Sequence, residues 1–325
     1  MAVPTATTTA HDVGSAGGNR EDLADIIYDI SPMDTPTVAM AAKMSGKGVF
    51  TEWQTDALDA AAANRQIEGD DAANNTFVQT TRVGNYNQIS KKVVQVSGTQ
   101  RAVDSAGRAD EFTYQLSKRG REIKRDMEFA ISRNQASSAG GAGTARSLAS
   151  LESWLSTNKT SLGTGTAQTT PGFGSGVVPA PTDSTVAGTF TKAGLDAVIQ
   201  ACWTEGGAPD TIMVGPFNRT QVSGFSGIST LQTDAKPGVD VTLMGAVDLY
   251  KSNFGTLKVV PNRFQRDQTA FVLDFEFIVL STLRDMELTE LAKTGDSDRS
   301  QMIVEYTLRM NNEASCGKVT DLTTS

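Results

Sequence analysis

The sequence predicts an α+β chain, thin and extended at its front and compact at its back. Three observations carry that reading. Residues 47–100 are written like a strand, a loop and returning strands, with few large apolar residues for that length. A single apolar stripe runs through 108–136 at helical spacing. From 189 onward, helix faces, a buried strand and glycine stops follow closely, and strand runs continue to Arg309.

Composition narrows the function before any motif is considered. The 325 residues hold 29 Lys+Arg against 37 Asp+Glu, a net charge of −8. Such a balance does not suit a coat that neutralises nucleic-acid phosphates. The one histidine, His11, sits in a Thr-, Ala- and Gly-rich tail at 1–19 that reads as a flexible arm. A hydrolase built on Ser-His-Asp or Cys-His would therefore have its imidazole on that tail. Two cysteines, Cys202 and Cys316, are too few for a disulfide framework or a Cys/His zinc site and read as reduced core thiols. No apolar run reaches the roughly 18 residues of a membrane span, and 1–19 lacks an apolar signal core.

Each element follows from local chemistry. Leu23, Ile26 and Ile27 suggest a short amphipathic turn. Pro32 and Pro36 force extended or turn geometry, and Pro36 can open a helix over Thr37–Met44 capped by Asp34 or Thr35. Val49, Thr51, Trp53 and Thr55 alternate with Phe50, Glu52 and Gln54 as a strand does. Residues 57–75 read as an exposed tip. Phe77–Val83 and Gln88–Gly98 read as returning strands. In the long helix, Phe112, Leu116, Ile123, Met127 and Ile131 share one face. Its charges predict a solvated face or pairing with a neighbouring subunit, with Lys118–Glu122 and Lys124–Glu128 as i,i+4 pairs.

Ala139–Gly143 ends that helix, and Leu148–Asn158 predicts a short amphipathic one. Residues 159–188 read as a surface loop or connection. A helix face of Leu195, Val198, Ile199, Cys202 and Trp203 follows. Thr211–Val214 is the expected buried strand, and Gly215-Pro216 opens a further helix. Residues 226–245 read as loop. Strands are expected at Val247–Lys251, Leu257–Pro261, Ala270–Asp274, Phe277–Leu280 and Gln301–Arg309.

Chemistry is sparse. The glycine runs lack the strand-to-helix setting of a phosphate cradle. Asp70-Asp71 and Asp296-Ser297-Asp298 could meet a cation but lack calcium-loop spacing. Trp53, Trp154 and Trp203 read as separate packing anchors. No nucleophile-and-base pair, metal set or cofactor motif is nominated. What remains is architecture: a two-stranded arm too thin to bury itself completes its contacts on something else.

The run Ile27-Tyr28-Asp29-Ile30-Ser31-Pro32-Met33-Asp34-Thr35-Pro36 resembles the N-terminal stretch of a group of tailed-bacteriophage major capsid proteins. So do Glu52-Trp53-Gln54-Thr55-Asp56, Asn85-Tyr86-Asn87-Gln88-Ile89, Val96-Ser97-Gly98-Thr99, Tyr114-Gln115-Leu116 through Arg125-Asp126-Met127-Glu128, and Met213-Val214-Gly215-Pro216. The resemblance covers most of 22–325 and implies the Hong Kong 97-type capsid fold. In that scheme 1–46 is an N-arm, 47–100 an E-loop, and 101–158 a peripheral domain with the spine helix. Residues 159–246 supply a loop and the axial domain, and 247–325 return strands to both domains.

The implied function is mechanical: hexamers and pentamers closing an icosahedral shell in the virion around double-stranded DNA, which is held without sequence-specific binding. Implied partners are portal and scaffolding proteins and, in some heads, decoration proteins; no membrane is involved. Assembly is expected in the bacterial host cytoplasm. The short segment before the resemblance suggests a separate scaffolding protein, or a mature product. Two other shell-associated readings stay open, an encapsulin-like nanocompartment subunit and a tail or decoration protein. The inter-subunit contact candidates are Trp53, Asn64, Arg65 and Asp70 on the arm and Lys118, Arg121, Glu122 and Arg125 on the spine. Trp53 and the tip around Asn64–Asn75 are expected on a neighbour.

Overall fold

The computed structural model describes residues 34–69, 71, 79–103, 107, 109–174, 176–225 and 248–324. The expected arm at 1–19, the turn at 20–30, most of the proline-bearing run, the start of the Phe77 strand, the 226–245 loop and Asp70 lie outside them.

The spine helix α3 (Glu111–Ser132) forms where its stripe predicts, trimmed at both ends. Asp110 caps it by accepting from the Phe112 and Thr113 amides, which satisfies two donors of the first turn. Its 22 residues span about 33 Å, less than the full 108–136 stretch would reach. The stripe buries progressively: Phe112 and Leu116 are half-buried, while Ile123, Met127 and Ile131 are sealed.

That sealed end packs on a four-stranded sheet of order β1-β10-β11-β4. Its strands are β1 (Ala42–Ser45), β4 (Gln88–Ser97), β10 (Ile278–Glu290) and β11 (Ser297–Met310). Strands β10 and β11 form a long antiparallel hairpin, and β4 runs antiparallel beside β11. Val304, Tyr306, Leu308 and Met310 supply the inward face under the helix. Gly120 lets Met302 pass close: an added Cβ would lie 3.5 Å from its sulfur.

A second sheet of six strands has the order β5-β12-β9-β6-β8-β7. It comprises β5 (Lys159–Ser161), β6 (Thr211–Val214), β7 (Leu249–Lys251), β8 (Thr256–Pro261), β9 (Ala270–Leu273) and β12 (Gly317–Thr320). Strand β6 is buried at every position and lies between parallel β8 and antiparallel β9, as its unbroken apolar run demands. Helix α5 (Lys192–Thr204) covers it with Leu195, Val198, Ile199 and Cys202, and ends where Gly206 takes a left-handed φ of 89°. Helix α6 is Pro216–Ser223. Met213, Phe271, Leu273 and Cys316 of this unit sit in the same core as the spine stripe, so the two sheets share one apolar junction.

Several elements differ from expectation. The helix α1 stops at Met40 (Pro36–Met40), because Ala42–Ser45 finds an open edge and pairs parallel with Val279–Thr282 of β10. Only β2 (Phe50–Thr55) and β3 (Thr81–Tyr86) form the two-stranded arm; β4 leaves it for the larger sheet, where its Val94 and Val96 are buried. The expected helix Leu148–Asn158 shrinks to α4 (Leu151–Trp154), since Lys159–Ser161 is drawn into the ladder beside β12. A short helix α2 (Gly98–Ala102), capped by Ser97, was not foreseen. Trp203 lies 57% exposed with Phe254 rather than on the buried face of α5.

The spine charges also rearrange. Glu122 takes Arg119 at 2.6 Å rather than Lys118. Glu128 does not pair with Lys124 in solvent: it is fully buried. Its carboxylate accepts from the Thr37 amide (3.1 Å), the Thr37 hydroxyl (2.5 Å), the Val38 amide (2.9 Å) and Asn262 Nδ2 (2.6 Å). The first amides of α1 have no intrahelical acceptor, and a buried carboxylate on the spine supplies one. Glu128→Ala therefore leaves several buried donors unpaired and should destabilise the subunit by about 3 kcal/mol. Denaturant unfolding of the unassembled chain measures it; Lys124→Ala should shift the midpoint little.

Candidate assembly surface

The arm has an anchored root and an uncovered tip. At the root, Trp53 pairs across the ladder with Val83 and is only 6% exposed. Its ring lies 5.3 Å from that of Trp154, which stacks on Phe173 at 6.1 Å, and Arg309 sits over it at 5.7 Å. Asn85, fully buried one strand over, donates to the carbonyls of Leu308 (2.8 Å) and Ala149 (3.2 Å) and accepts from the Ala149 amide (2.8 Å). Gly84 lets the Phe50 ring cross the ladder, since a Cβ there would meet it at 2.6 Å. Trp53 is thus corrected from neighbour contact to internal anchor: almost none of its surface is left to offer. The expectation that Trp53 and Trp154 stand apart fails for the same reason.

Past Thr55 the described residues of the tip have no cover. Residues 56–69 are exposed throughout, and Leu58 and Ile67 stand 98% and 80% exposed. Asn64 and Arg65 lie here; Asn64 accepts from Gln66 Nε2 at 2.9 Å, a contact within the tip. The acidic groups Asp56, Asp59 and Glu68 outnumber Arg65.

The spine candidates occupy a separate place. Lys118 is exposed, Arg121 half-buried, and Glu122 held by Arg119. Arg125 turns inward and lies over the Phe264 ring at 5.7 Å, within its own chain. Among the described residues, Asn64 and Arg65 of the tip make no contact with the spine set.

At the far end of the β10–β11 hairpin, Asp298 accepts from Arg101 and Lys293, each at 2.5 Å. Hydrogen bonds from Lys293 and Arg101 hold its carboxyl below the usual range. Asp298 of the Asp296-Ser297-Asp298 run is therefore held by two cationic side chains of its own chain.

One buried polar cluster went unforeseen. Lys318, on β12, is fully buried and donates to the Glu152 carbonyl (2.7 Å) and the Thr170 hydroxyl (2.8 Å). Beside it Arg266 bridges Glu152 (2.8 Å) and Asp183 (2.7 Å). A lone lysine in the run Gly317-Lys318-Val319-Thr320 gives no sequence signal that all four positions are sealed. Burial pushes the Cys202 thiol up to about 12 and the Cys316 thiol up to about 11, so both stay protonated at neutral pH.

The family model described as SU10 major capsid protein matches residues 4–323. The chain belongs to the SU10 major capsid protein family. A curated relative, the major capsid protein of Escherichia phage Phieco32, is 40% identical over 120 residues. That match spans 37% of this chain and 34% of the relative's length. Among solved structures, the capsid asymmetric unit of cyanophage A-1(L) has a TM-score of 0.71 at 12% identity, covering 94% of this chain and 98% of that one. Mycobacterium phage Bobi gives 0.63 at 12% identity over 98% and 100% of the two chains. The capsid of a native GTA particle gives 0.61 at 12% over 98% and 100%. At such identities the likeness establishes the fold, and it is the phage-capsid fold that the resemblance implied.

Lys318 yields a pH prediction. Burial lowers its pKa from 10.5 to about 7. Between those values the unfolded chain binds the proton that the folded chain has released, so stability rises with pH. The gain is complete above the unfolded pKa and lost as pH falls through about 7. Unfolding free energy should climb across this window by up to about 1.4 kcal/mol per pH unit, and Lys318→Met should flatten the slope.

Proposed function

We propose that this chain is the repeating wall subunit of a phage head, assembling as hexamers and pentamers into an icosahedral shell around double-stranded DNA. The observation that carries this is the arm: its root is fixed by Trp53 and Asn85, while its tip exposes Leu58 and Ile67 with none of the described residues covering them. Family membership supports the reading. In this scheme the four-stranded sheet and spine helix form the peripheral domain and the six-stranded sheet the axial domain. Asn64 and Arg65 at the tip, and Lys118, Arg121 and Glu122 on the spine, serve as contacts between copies.

The role is mechanical, without catalysis. Each interface adds apolar burial at about 25 cal/mol per Å², less the cost of ordering the tip. Portal and scaffolding proteins are the expected assembly partners, with assembly in the host cytoplasm. The net charge of −8 suits a wall that contains DNA without gripping it.

Expression of the full chain alone and beside its genomic neighbours, with electron microscopy of the lysate, tests the reading. Closed shells support it, and persistent monomers under every condition contradict it. The double variant Leu58→Ser, Ile67→Ser should leave the subunit's unfolding midpoint unchanged, because both side chains are already in water, yet cut shell yield sharply. Sedimentation and calorimetry read the two effects separately.

A further inference from the structure

The buried cluster around Lys318 fastens the 162–188 connection to the six-stranded sheet. Between β5 and α5 the described residues of this connection hold only isolated bridges, Thr169 to Thr182 and Gly174 to Val177. Its apolar fastening is thin. Val178 is sealed and Phe173 stacks on Trp154, while Val177 and Val186 stay 42% and 48% exposed. Carboxylates supply the other ties. Asp321, just past β12, accepts from the Gln168 amide (2.9 Å) and the Ser184 amide (2.8 Å). Asp183, on the connection, accepts from both terminal nitrogens of Arg266 and from Gln168 Nε2. Glu152 accepts from Gln168 (3.1 Å), Arg266 (2.8 Å) and Thr269 (3.0 Å). A segment held this way opens at a free energy set by its polar ties more than by buried apolar area.

At the centre, the Lys318 amine donates to the Glu152 carbonyl and, on the connection, to the Thr170 hydroxyl. Among the described residues these are its only hydrogen-bond partners. Two acceptors satisfy a neutral amine, with its two N–H groups and one lone pair; an ammonium brings a third N–H that needs another. The charged groups around it come from four places. Glu152 of α4 and Asp183 of the connection favour a proton on it, while Lys159 of β5 and Arg266 of the 262–269 segment oppose one. Strand β9, its other ladder partner, places Phe271 opposite and carries no charge. Burial is the largest influence and brings the amine from 10.5 down to about 7.

We propose that this cluster is a proton-operated latch: with the Lys318 amine neutral the connection stays fastened, and each local opening of the connection hands the amine to water, where it takes up a proton. The connection joins the spine unit to the six-stranded sheet, so the latch sets how readily that joint yields. It belongs to the single subunit and does not rest on the shell reading. Linkage fixes the sign. Open, the amine has the ordinary lysine value of 10.5; closed, it titrates at about 7. Between those values the open form holds the extra proton, so opening grows more frequent as pH falls toward about 7 and levels off below it.

Hydrogen exchange of the full, unassembled chain between about pH 9 and pH 7 tests this. After correction for intrinsic rates, the opening constant of the connection amides should rise by up to about tenfold per pH unit as pH falls. It should also exceed that of the spine amides at Ile123–Ile131 by roughly a hundredfold or more, because the connection opens without the core. Connection amides that open as rarely as the spine overturn the proposal, since the lysine is then released only by global unfolding. Frequent opening that does not change with pH also overturns it, since the amine then stays buried while the segment moves. Lys318→Met should abolish the pH response, and a response that survives it contradicts the latch. Should that variant fail to fold, Thr170→Val keeps the lysine and removes its tie to the connection. It should raise the connection's opening constant by about tenfold at pH 9, and exchange equal to that of the unaltered chain contradicts the latch.

Discussion

The structure depends on an arm that is firmly held at one end and, among the described residues, has no internal cover at the other. Trp53 and Asn85 insert the first rungs of a two-stranded ladder into the main core, where Trp154, Phe173 and the Leu308 carbonyl receive them. A two-stranded ribbon beyond that root has only one partner strand and too little apolar surface to hold a form in water. Leu58 and Ile67 have no cover among the described residues, and under the proposed shell reading a further copy supplies it. The anchored root matters as much as the free tip, because it sets the direction in which the tip is presented.

A lever of this kind works only if its base does not yield. The two sheets meet at an apolar junction where Met213, Phe271 and Leu273 of one pack with Ile123, Met127 and Ile131 of the spine. Around it run buried polar ties. Glu128 joins the spine to the first helix and to Asn262 of the second unit. Arg266, Glu152 and Asp183 fix the 162–188 connection, and Glu313 accepts from the Ser156 and Thr157 amides at 2.6 and 2.7 Å. Networks of this type contribute modest net stability, but each is costly to leave half-made, which favours one relative arrangement of the sheets over others.

Legibility in the sequence followed the kind of information each element uses. The spine, the sealed strand at Thr211–Val214 and helix α5 are written in local periodicity, so their residues announce them. Elements decided by distant pairing are not. Strand β1 exists because β10 leaves an edge open some 240 residues later, and β4 reads like an arm strand until β11 claims it. Charged residues misled most: Glu128 and Lys318 carry the same letters as solvated neighbours, and only tertiary partners show that they are buried. Trp53 carried opposite meanings at once, since a tryptophan in a thin hairpin fits an outside contact or an internal anchor equally well until Trp154 is seen beside it. Tip residues such as Asn64 and Arg65 were legible as exposed, because nothing in 57–75 has apolar periodicity.

Hydrogen exchange of the backbone amides in 56–69, compared between the unassembled subunit and closed particles, asks directly whether a second copy completes this chain. In the unassembled subunit these amides should exchange near the rate of free peptide, while those of β2 beside Trp53 are slow; in particles the tip amides should slow by roughly a hundredfold or more. Tip amides that exchange equally fast in closed particles, or that are already slow in the lone subunit, would contradict the account.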